Sequence, residues 1–427
     1  MIIASERKKI IDLIKREVVR AIGCTEPIAV SLATAKTVET LAVDPTHIDV
    51  HLSANVLKNA MGVGIPGTGM IGLPIAIALG AVIKQPAYQL EILKDVTPEI
   101  LEKGKQMIAE KCIDIHLKDD AIDKLYIEVV AVGGNEKAKV IIAGQHTNIC
   151  YVEKNGEVLL NKIPSAETDL ADDTPELTMR KVYDFATTAP LDEINFILAT
   201  ATLNKAAAVI AFEQDYGHSL GKTLVGKYKN EIMGNSMLSR ILAYTSAACD
   251  ARMAGAMIPV MSNSGSGNQG ISATLPVVIY AEETQQPEEK LIRALMLSHL
   301  TAVYVKTYLG RLSALCGCVV AGTGSACGIT YLMGGNYEQI TYAVKNMVAN
   351  LTGVICDGAK PSCALKVSSG ISTAVFSAMM AMDNKVVTAL EGIIDDDVDQ
   401  CIRNLAAIGK DGMCETDKLV LQIMTTK

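Results

Sequence analysis

The chain has 427 residues, a formal net charge of −8, four Phe and no Trp. Its length allows two or three domains around a large core, while the lack of a Lys/Arg cluster and of aromatic stacking side chains argues against nucleic-acid binding. Eleven cysteines, an odd number, in a chain without a secretory signal predict reduced thiols and a cytoplasmic protein that acts on small molecules.

The N-terminal segment predicts two helices joined by the sequence GCTEP, residues 23–27. The first is amphipathic and unlike a signal peptide, with an apolar stripe formed by Ile10, Ile11, Ile14, Val18, Ala21 and Ile22. The second is apolar and covers residues 28–41. Because Thr25 can cap it and Pro27 can open it, the Cys24 sulfur is expected at a helix N-terminus, where the helix dipole favours thiolate. Cys24 is therefore a candidate base or nucleophile, with a small residue filling a helix corner as the alternative.

The next part of the chain predicts β-structure. Alternating apolar residues indicate strands in HIDVHLSAN, LYIEVVAVGG, KAKVIIAGQ and CYVEKNGEVLL, and Asn155-Gly156 predicts a hairpin turn in the last of them. Thr97 and Pro98 are typical of a helix start between the strands. We expect an α+β domain over residues 45–170, inserted after N-terminal helices in residues 1–44, with a linker at 168–175.

Two features of this domain bear on ligands and membranes. The glycine-rich segment 54–72 offers Lys58, Asn59 and Thr68 as candidate substrate contacts, although its spacing is not that of a nucleotide-binding loop. The apolar stretch 70–83 is shorter than a membrane span and is expected to form a buried helix. Since no run in the chain reaches about twenty apolar residues, we expect no contact with a membrane.

Residues 171–427 predict a large, mainly α-helical domain that packs against the N-terminal helices. Within it, residues 262–270 are all Ser, Asn, Gly or Gln, and a helix is expected to begin after them. Glycines free backbone N–H groups to bind an anion, so the candidates to bind a carboxylate or phosphate are Ser264, Gly265, Ser266 and Asn268. A flexible surface loop is the alternative, but the apolar flanks favour a buried anion site.

Four cysteines of this region lie in stretches rich in Gly, Ala and Ser. Cys356 and Cys363 flank the turn-forming sequence DGAKPS, so both thiols can converge on one ion. Cys316 and Cys318 form a C-x-C pair. Neither spacing is that of a structural zinc site or a ferredoxin, and burial as small apolar residues is the alternative. Burial is the expectation for six others, Cys112, Cys150, Cys249, Cys327, Cys401 and Cys414.

Four motifs, IGCTEPIAV, SGSGNQGI, RLSALCGC and ICDGAKPSCALK, occur in this order over nearly the whole chain. Together they resemble the L-cysteine desulfidase family, which is related to the bacterial iron–sulfur L-serine dehydratases and their serine dehydratase α-chain domain. The resemblance implies a [4Fe–4S] cluster with three cysteine ligands and one iron open to substrate. It also implies β-elimination without pyridoxal phosphate.

The same resemblance assigns residues to roles. The ligands would be Cys356, Cys363 and one of Cys316 and Cys318, Cys24 would accept the Cα proton, and the loop 262–270 would hold the substrate carboxylate. The residues after Gly317-Cys318 depart from the serine dehydratase pattern, which favours thiol over hydroxyl as the leaving group. Should Cys24 not be the base, His218 and Lys366 are the next candidates.

The expected activity is conversion of L-cysteine to pyruvate, ammonia and hydrogen sulfide by an oxygen-labile lyase. L-Serine dehydration on the same type of site is one alternative, and a non-catalytic binding protein stabilised by a metal is another. A structural metal site is closed by four protein ligands, whereas a catalytic one leaves a position open. The expected partner is a small amino acid, and a homodimer is the assembly considered.

Overall fold

Helices make up most of the chain, which the computed structural model describes over residues 2–118, 123–163 and 175–426. The helices are α1 (Ala4–Glu17), α2 (Thr25–Leu41), α3 (Ala54–Ala60), α4 (Leu73–Ile83), α5 (Pro98–Ala109), α6 (Met179–Thr188), α7 (Leu191–Ile194), α8 (Leu198–Glu213), α9 (Leu220–Leu224), α10 (Met237–Met253), α11 (Gly267–Glu283), α12 (Glu288–Leu309), α13 (Gly317–Leu332), α14 (Tyr337–Leu351), α15 (Cys363–Met382), α16 (Val398–Ala407) and α17 (Cys414–Thr425). The strands are β1 (Arg20–Ile22), β2 (His47–Leu52), β3 (Ile113–Leu117), β4 (Tyr126–Gly133), β5 (Glu136–Ala143), β6 (Ile149–Lys154), β7 (Glu157–Asn161) and β8 (Pro259–Met261).

Six of the strands form one mixed sheet in the order β3-β2-β4-β5-β6-β7, in which only the β2–β3 pair is parallel. Strand β2 forms because Ile48, Val50 and Leu52 alternate with polar residues, and these three side chains are fully buried. The predicted hairpin turn between β6 and β7 is confirmed, with positive φ at both Asn155 and Gly156. Strand β3, at the sheet edge, was not predicted.

Helix α2 lies between the sheet and the helical part of the molecule. Its Ala29, Val30 and Ala33 belong to the apolar cluster that covers the sheet, whereas Ile28 and Ala35 belong to the large core of the helical region. Most residues of α2 are buried, and its Ser31, Thr34 and Thr37 hydroxyls donate to backbone carbonyls, so the helix can pack on both sides without an unsatisfied polar face. The start of α2, which carries Cys24, is therefore fixed from both sides.

The helical region is built around α12 and α13, which pack on each other and on α11 and α15. The predicted fold class, an α+β chain with a mixed sheet after an N-terminal helix and a large helical region, is confirmed. The domain boundaries at 44 and 170 stay a prediction, and the predicted linker lies almost wholly outside the described residues.

The apolar stretch predicted as a buried helix is α4, and seven of its residues from Ile75 to Ala81 are buried. Two other segments, Leu191–Glu213 and Cys363–Met382, do reach the length and hydropathy of a membrane span. Such segments are weak evidence, because core helices of globular proteins have the same character.

Two short pairings join distant parts of the chain. Strand β1 pairs with β8 so that Arg20 lies opposite Met261 and Ile22 opposite Pro259. This pairing continues beyond the strands, where the N–H groups of Ser262 and Ser264 donate to the carbonyls of Val19 and Glu17, so the start of the loop 262–270 lies beside the end of α1. The second pairing is an isolated bridge between Leu315 and Ile355, which places the C-x-C pair beside the other two cysteines.

Candidate functional site

One cavity, of about 90 Å³, is lined by all five cysteines that the sequence analysis proposed as site residues. Cys24, Cys316, Cys318, Cys356 and Cys363 all line it. The other lining residues are Glu26, Asn59, Arg252, Ser266, Asn268, Gln269, Gly317, Gly358, Ala359 and Val367. Thiols from three separate segments and a small set of polar side chains therefore face the same space.

Backbone hydrogen bonds fix two of the cysteine segments against each other. The N–H of Cys316 donates to the Val354 carbonyl at 2.9 Å, and the N–H of Cys356 donates to the Ala314 carbonyl at 2.6 Å. Between Cys356 and Cys363 the chain turns at Gly358, whose φ is 87°. A side chain at Gly358 would also meet the Lys58 carbonyl oxygen, with its Cβ at 2.4 Å. Only glycine suits this turn, which brings both thiols to the cavity.

The surroundings of Cys316, Cys356 and Cys363 raise the pKa of each of these thiols. Burial raises the pKa of Cys356 and raises that of Cys363 to about 11, and the nearby Cys316 contributes to both increases. The pKa of Cys316 is itself raised, first by its neighbour Cys318 and then by burial. Thiolates are soft ligands, so an iron or similar ion that binds here must displace the thiol protons.

Cys24 lies at the N-terminus of α2, as predicted, and is buried, but it is itself the N-cap residue, and the helix begins at Thr25, which was expected to be the cap. The expected thiolate is wrong for this state of the protein, because burial raises the pKa of Cys24 well above its ordinary value. The Glu26 carboxylate adds to the effect, since Cys24 Sγ donates a hydrogen bond to Glu26 Oε2 at 3.1 Å. Desolvation and a like charge outweigh the helix dipole here.

Glu26 is a buried carboxylate in the first turn of α2. Besides Cys24, it accepts hydrogen bonds from Thr25 Oγ1 at 3.1 Å and from Asn59 Nδ2 at 3.2 Å, and His146 Nε2 lies 3.8 Å from its Oε1. Burial alone would raise the pKa of Glu26, but His146 and the thiol of Cys24 lower it to about 2. The resting site therefore contains a buried carboxylate anion near neutral pH.

A buried arginine also lines the cavity. Arg252, in the last turn of α10, donates from Nε to the Gly23 carbonyl at 3.1 Å and from a terminal nitrogen to Asn268 Oδ1 at 3.0 Å. A Cβ at Gly267 would lie 2.1 Å from Arg252 Nε, so this glycine makes room for the guanidinium. Arg252 is the cationic side chain of the cavity lining, and a guanidinium is suited to a carboxylate.

Two buried amide oxygens in the cavity lining have no hydrogen-bond partner among the described residues. They are Asn59 Oδ1 and Gln269 Oε1. Buried polar atoms are nearly always satisfied, so an unpaired acceptor that faces a cavity indicates a donor that binds there. An ammonium group is a donor of this kind.

The glycine-rich loop differs from its prediction in one respect. Helix α11 begins at Gly267, with Ser266 as its N-cap, rather than after Gly270. Ser266 and Asn268 line the cavity, but Ser264 and Gly265 do not. Gly265 instead accepts a hydrogen bond from Thr25 Oγ1 at 2.6 Å, which ties the loop to the start of α2.

Of the three candidates in segment 54–72, only Asn59 lines the cavity. Lys58 is buried and does not reach it, because its ammonium pairs with Asp417 and donates to the Cys356 carbonyl at 3.2 Å. Thr68 uses its hydroxyl in a local turn, donating to the Ile65 carbonyl at 2.8 Å. These two residues support the structure rather than face the cavity.

The two other candidates for the base, His218 and Lys366, do not line the cavity. His218 is exposed and is not part of the cavity lining. Lys366 donates to the Ile355 carbonyl at 2.8 Å and pairs with Asp357, outside the cavity lining. Of the six cysteines expected to be buried, Cys150, Cys249, Cys327 and Cys401 are buried, Cys112 is half-buried and Cys414 is exposed.

Glu26, Arg252, Gln269 and His146 were not predicted as site residues. Glu26 stands inside GCTEP, two residues from Cys24, so the acidic side chain of that motif was an available signal. Gln269 lies inside the loop 262–270, so it too could have been predicted from the sequence. Arg252 and His146 carry no local signal, because their place depends on tertiary packing.

Comparison with known proteins gives a family. Residues 87–422 match the family described as serine dehydratase alpha chain. A UPF0597 protein of Bacteroides fragilis is 68% identical over 423 residues, which cover 99% of both chains. Another UPF0597 protein, from Bacteroides thetaiotaomicron, is 67% identical over 425 residues, and one from Shewanella halifaxensis is 46% identical over 429 residues. The chain therefore belongs to the serine dehydratase alpha chain family, and it is similar to UPF0597 proteins over almost its entire length.

Proposed function

We propose that this protein is a cytoplasmic iron–sulfur lyase that eliminates sulfide from L-cysteine, with pyruvate, ammonia and hydrogen sulfide as products. Membership of the serine dehydratase alpha chain family supports a lyase of amino-acid catabolism. The observation that carries the finer proposal is the cavity that joins four cysteine thiols to Cys24, Glu26 and Arg252.

The donor set fits a [4Fe–4S] cluster. Sulfur is the soft ligand that iron–sulfur clusters require, and the cavity wall between the thiols is made of small residues, Gly317, Gly358 and Ala359. A cluster held here by three cysteines would supply a Lewis-acidic iron near the substrate sulfur. Cys356 and Cys363 would be two of the ligands.

Cys316 is the better candidate for the third ligand. Its backbone pairs with the segment that carries Cys356, and its thiol contributes to the raised pKa of both Cys356 and Cys363. Cys318 lies where α13 meets α15, and a Cβ built on Gly370 would be 3.4 Å from Cys318 Cβ. Its small size is thus explained by helix packing, whereas Cys316 stands at the N-cap before the helix.

The remaining side chains of the cavity are those that would bind the substrate. The carboxylate of an amino acid would be held by the Arg252 guanidinium, together with the start of α11, where Ser266 and Asn268 lie. The ammonium group would donate to Asn59 Oδ1 and Gln269 Oε1, the two buried acceptors without a partner among the described residues. This orientation would direct the side chain of the substrate toward the cysteine thiols.

Cys24 is proposed as the base that removes the Cα proton, assisted by Glu26. Because the free thiol is protonated, it must first transfer its proton, and Glu26 Oε2 at 3.1 Å is the acceptor in direct contact. Proton removal and departure of hydrosulfide from Cβ leave aminoacrylate, which hydrolyses to pyruvate and ammonia. Oxidation state is unchanged throughout, so no external oxidant or reductant is needed.

L-Serine dehydration is the second candidate reaction, and the family name favours it. A purely structural metal site is the third, and the polar groups around the cavity count against it, because a closed site has no use for unpaired acceptors. The experiment is anaerobic reconstitution with iron and sulfide, followed by assays with L-cysteine and L-serine. Sulfide and pyruvate from L-cysteine in equal amounts support the proposal; pyruvate from L-serine alone would replace it with dehydration, and no product from either would refute a lyase.

A further inference from the structure

His146 connects the proposed catalytic cavity to a second one. It lies in the short loop between β5 and β6, which is braced by hydrogen bonds from Asn148 Nδ2 and from the Gln145 N–H to the Ala143 carbonyl, both at 2.9 Å. The imidazole is buried, with 4% of its surface exposed, and its Nε2 has no hydrogen-bond partner among the described residues. That nitrogen lies 3.8 Å from Glu26 Oε1.

The second cavity has a volume of about 190 Å³ and is lined by His146, Gly265, Arg311 and Glu17, among others. In the lining of this second cavity, Arg311 pairs with both carboxylate oxygens of Glu17, at 2.7 and 2.8 Å, and Arg20 pairs with Glu91 at 3.1 Å. The charges of the second cavity are therefore largely balanced. The second cavity shares no lining residue with the proposed catalytic cavity. Glu26 and His146 thus form a line from one cavity to the other.

The two oxygens of Glu26 are used differently. Oε2 accepts the thiol proton of Cys24, while Oε1 faces His146 and the amide of Asn59. A carboxyl group that receives a proton on Oε2 can present it to His146 by a half-turn about its Cγ–Cδ bond, because that turn exchanges the two oxygens. A shift of the imidazole by about 0.6 Å would bring Nε2 within hydrogen-bond range of Oε1.

We propose that His146 is a proton relay that carries a proton from Cys24 and Glu26 to the second cavity in each turnover. This inference rests on the proposed elimination and deepens it. The Cα–H bond breaks and its proton binds Cys24 sulfur, while the electron pair forms the Cα–Cβ double bond and hydrosulfide leaves with the Cβ–S pair. This step restores the Cys24 thiol, whose own proton had passed beforehand to Glu26, from Glu26 to His146 Nε2, and from His146 Nδ1 to water in the second cavity, so that one proton leaves in each turnover.

A relay is needed because each turnover leaves one proton in a dry site. Cys24 and Glu26 are both buried, so neither can return that proton to solvent directly. An imidazole has two nitrogens on opposite sides of its ring, so it can take up a proton at one nitrogen and release one from the other. The sheet would thereby contribute directly to the chemistry of the helical region.

The test compares His146→Ala and His146→Gln in the reconstituted protein, with His51→Ala as the control. His51 is half-buried and stacks on His116 of the neighbouring strand, on the face of the sheet away from α2. The glutamine side chain keeps an N–H group that can face Glu26, but it does not carry a proton between two nitrogens. Iron content and thermal melting are measured for every variant, so that loss of the cluster or of folding is recognised.

We expect both His146 variants to retain their iron and to lose turnover by ~10²-fold, with little change in KM. Free imidazole should restore the alanine variant at least ~10-fold, because the vacated space adjoins the second cavity, and should not restore the glutamine variant. Turnover by His51→Ala should equal that of the wild type with and without imidazole.

Three results would overturn the relay. They are full turnover in either His146 variant, an active glutamine variant beside an inactive alanine variant, or no response of an iron-replete alanine variant to imidazole. The second of these would make His146 a positioning residue only. Absence of the reaction in the wild type would instead refute the proposed elimination, and the relay with it, so the two failures are distinguishable.

Discussion

Leu315 and Ile355 form an isolated antiparallel bridge that holds the two cysteine segments side by side. Cys316 follows one of these residues and Cys356 follows the other, so a single pairing positions thiols that are far apart in sequence. Helix α15 then begins at Cys363 and completes the set. The site depends on this bridge and on the turn at Gly358.

The first prediction concerns the two cysteines that flank that turn. Cys356→Ser and Cys363→Ser should each abolish cluster incorporation, because a hydroxyl is a poor ligand for soft iron. Iron and acid-labile sulfide per chain are measured after anaerobic reconstitution. Cys414→Ser is the matched control, since Cys414 is exposed and outside the cavity lining, and it should keep the wild-type content. A full complement in both test variants would refute the ligand assignment.

The second prediction separates the C-x-C pair. Cys316→Ser should lose the cluster, because Cys316 stands before the helix and its backbone pairs with the segment that carries Cys356, and Cys318→Ser should keep it. The same iron and sulfide analysis decides between them. Retention by both variants would mean that the third ligand lies elsewhere, and the opposite result would exchange the two roles.

The third prediction tests the base. Cys24→Ala should retain the cluster and bind L-cysteine, yet lose turnover by ~10²–10⁴-fold, the usual contribution of a positioned base. Exchange of the Cα proton with deuterated solvent, followed by NMR, should fall in parallel. Loss of iron from this variant would instead make Cys24 a ligand, and unchanged exchange would move the base to another residue.

The fourth prediction is a pH dependence of stability. The pKa of Glu26 is about 2 in the folded protein against an ordinary 4.5, so its stabilising contribution is complete above pH 4.5 and is lost as the pH falls toward 2. A shift of this size corresponds to about 3 kcal/mol. Glu26→Gln should lower the free energy of unfolding at pH 7 and should show a smaller loss between pH 5 and pH 3 than the wild type. Denaturant unfolding at the three pH values measures this, and parallel curves would contradict the assigned pKa.

The sequence predicts the elements that have strong local patterns. The alternation of Ile48, Val50 and Leu52 predicted β2, and Asn155-Gly156 predicted the hairpin turn. Strand β3 was missed although Ile113, Ile115 and Leu117 alternate with Asp114 and His116. It is only five residues long and lies at the sheet edge, where every residue is at least partly exposed. The alternation in β2 and the Asn-Gly turn are local signals, which can be recognised without knowledge of the rest of the molecule.

Site residues could be predicted only where a pattern of residues close together in the sequence indicates them. The turn between Cys356 and Cys363 was visible in the sequence, and so was the position of Cys24 at a helix start. Its protonation state was not, because that depends on burial by segments distant in sequence and on the Glu26 charge. His146 reaches Glu26 only through the packing of the sheet on α2, which no local pattern encodes.

The most direct test of the central claim is Mössbauer spectroscopy of protein reconstituted with ⁵⁷Fe, recorded with and without L-cysteine. Three cysteine ligands leave one iron of a [4Fe–4S] cluster open to substrate. We therefore predict that one quarter of the iron signal shifts when L-cysteine is added and that the other three quarters do not. A cluster whose four irons are all unaffected by L-cysteine, or a protein that takes up no iron, would contradict this account.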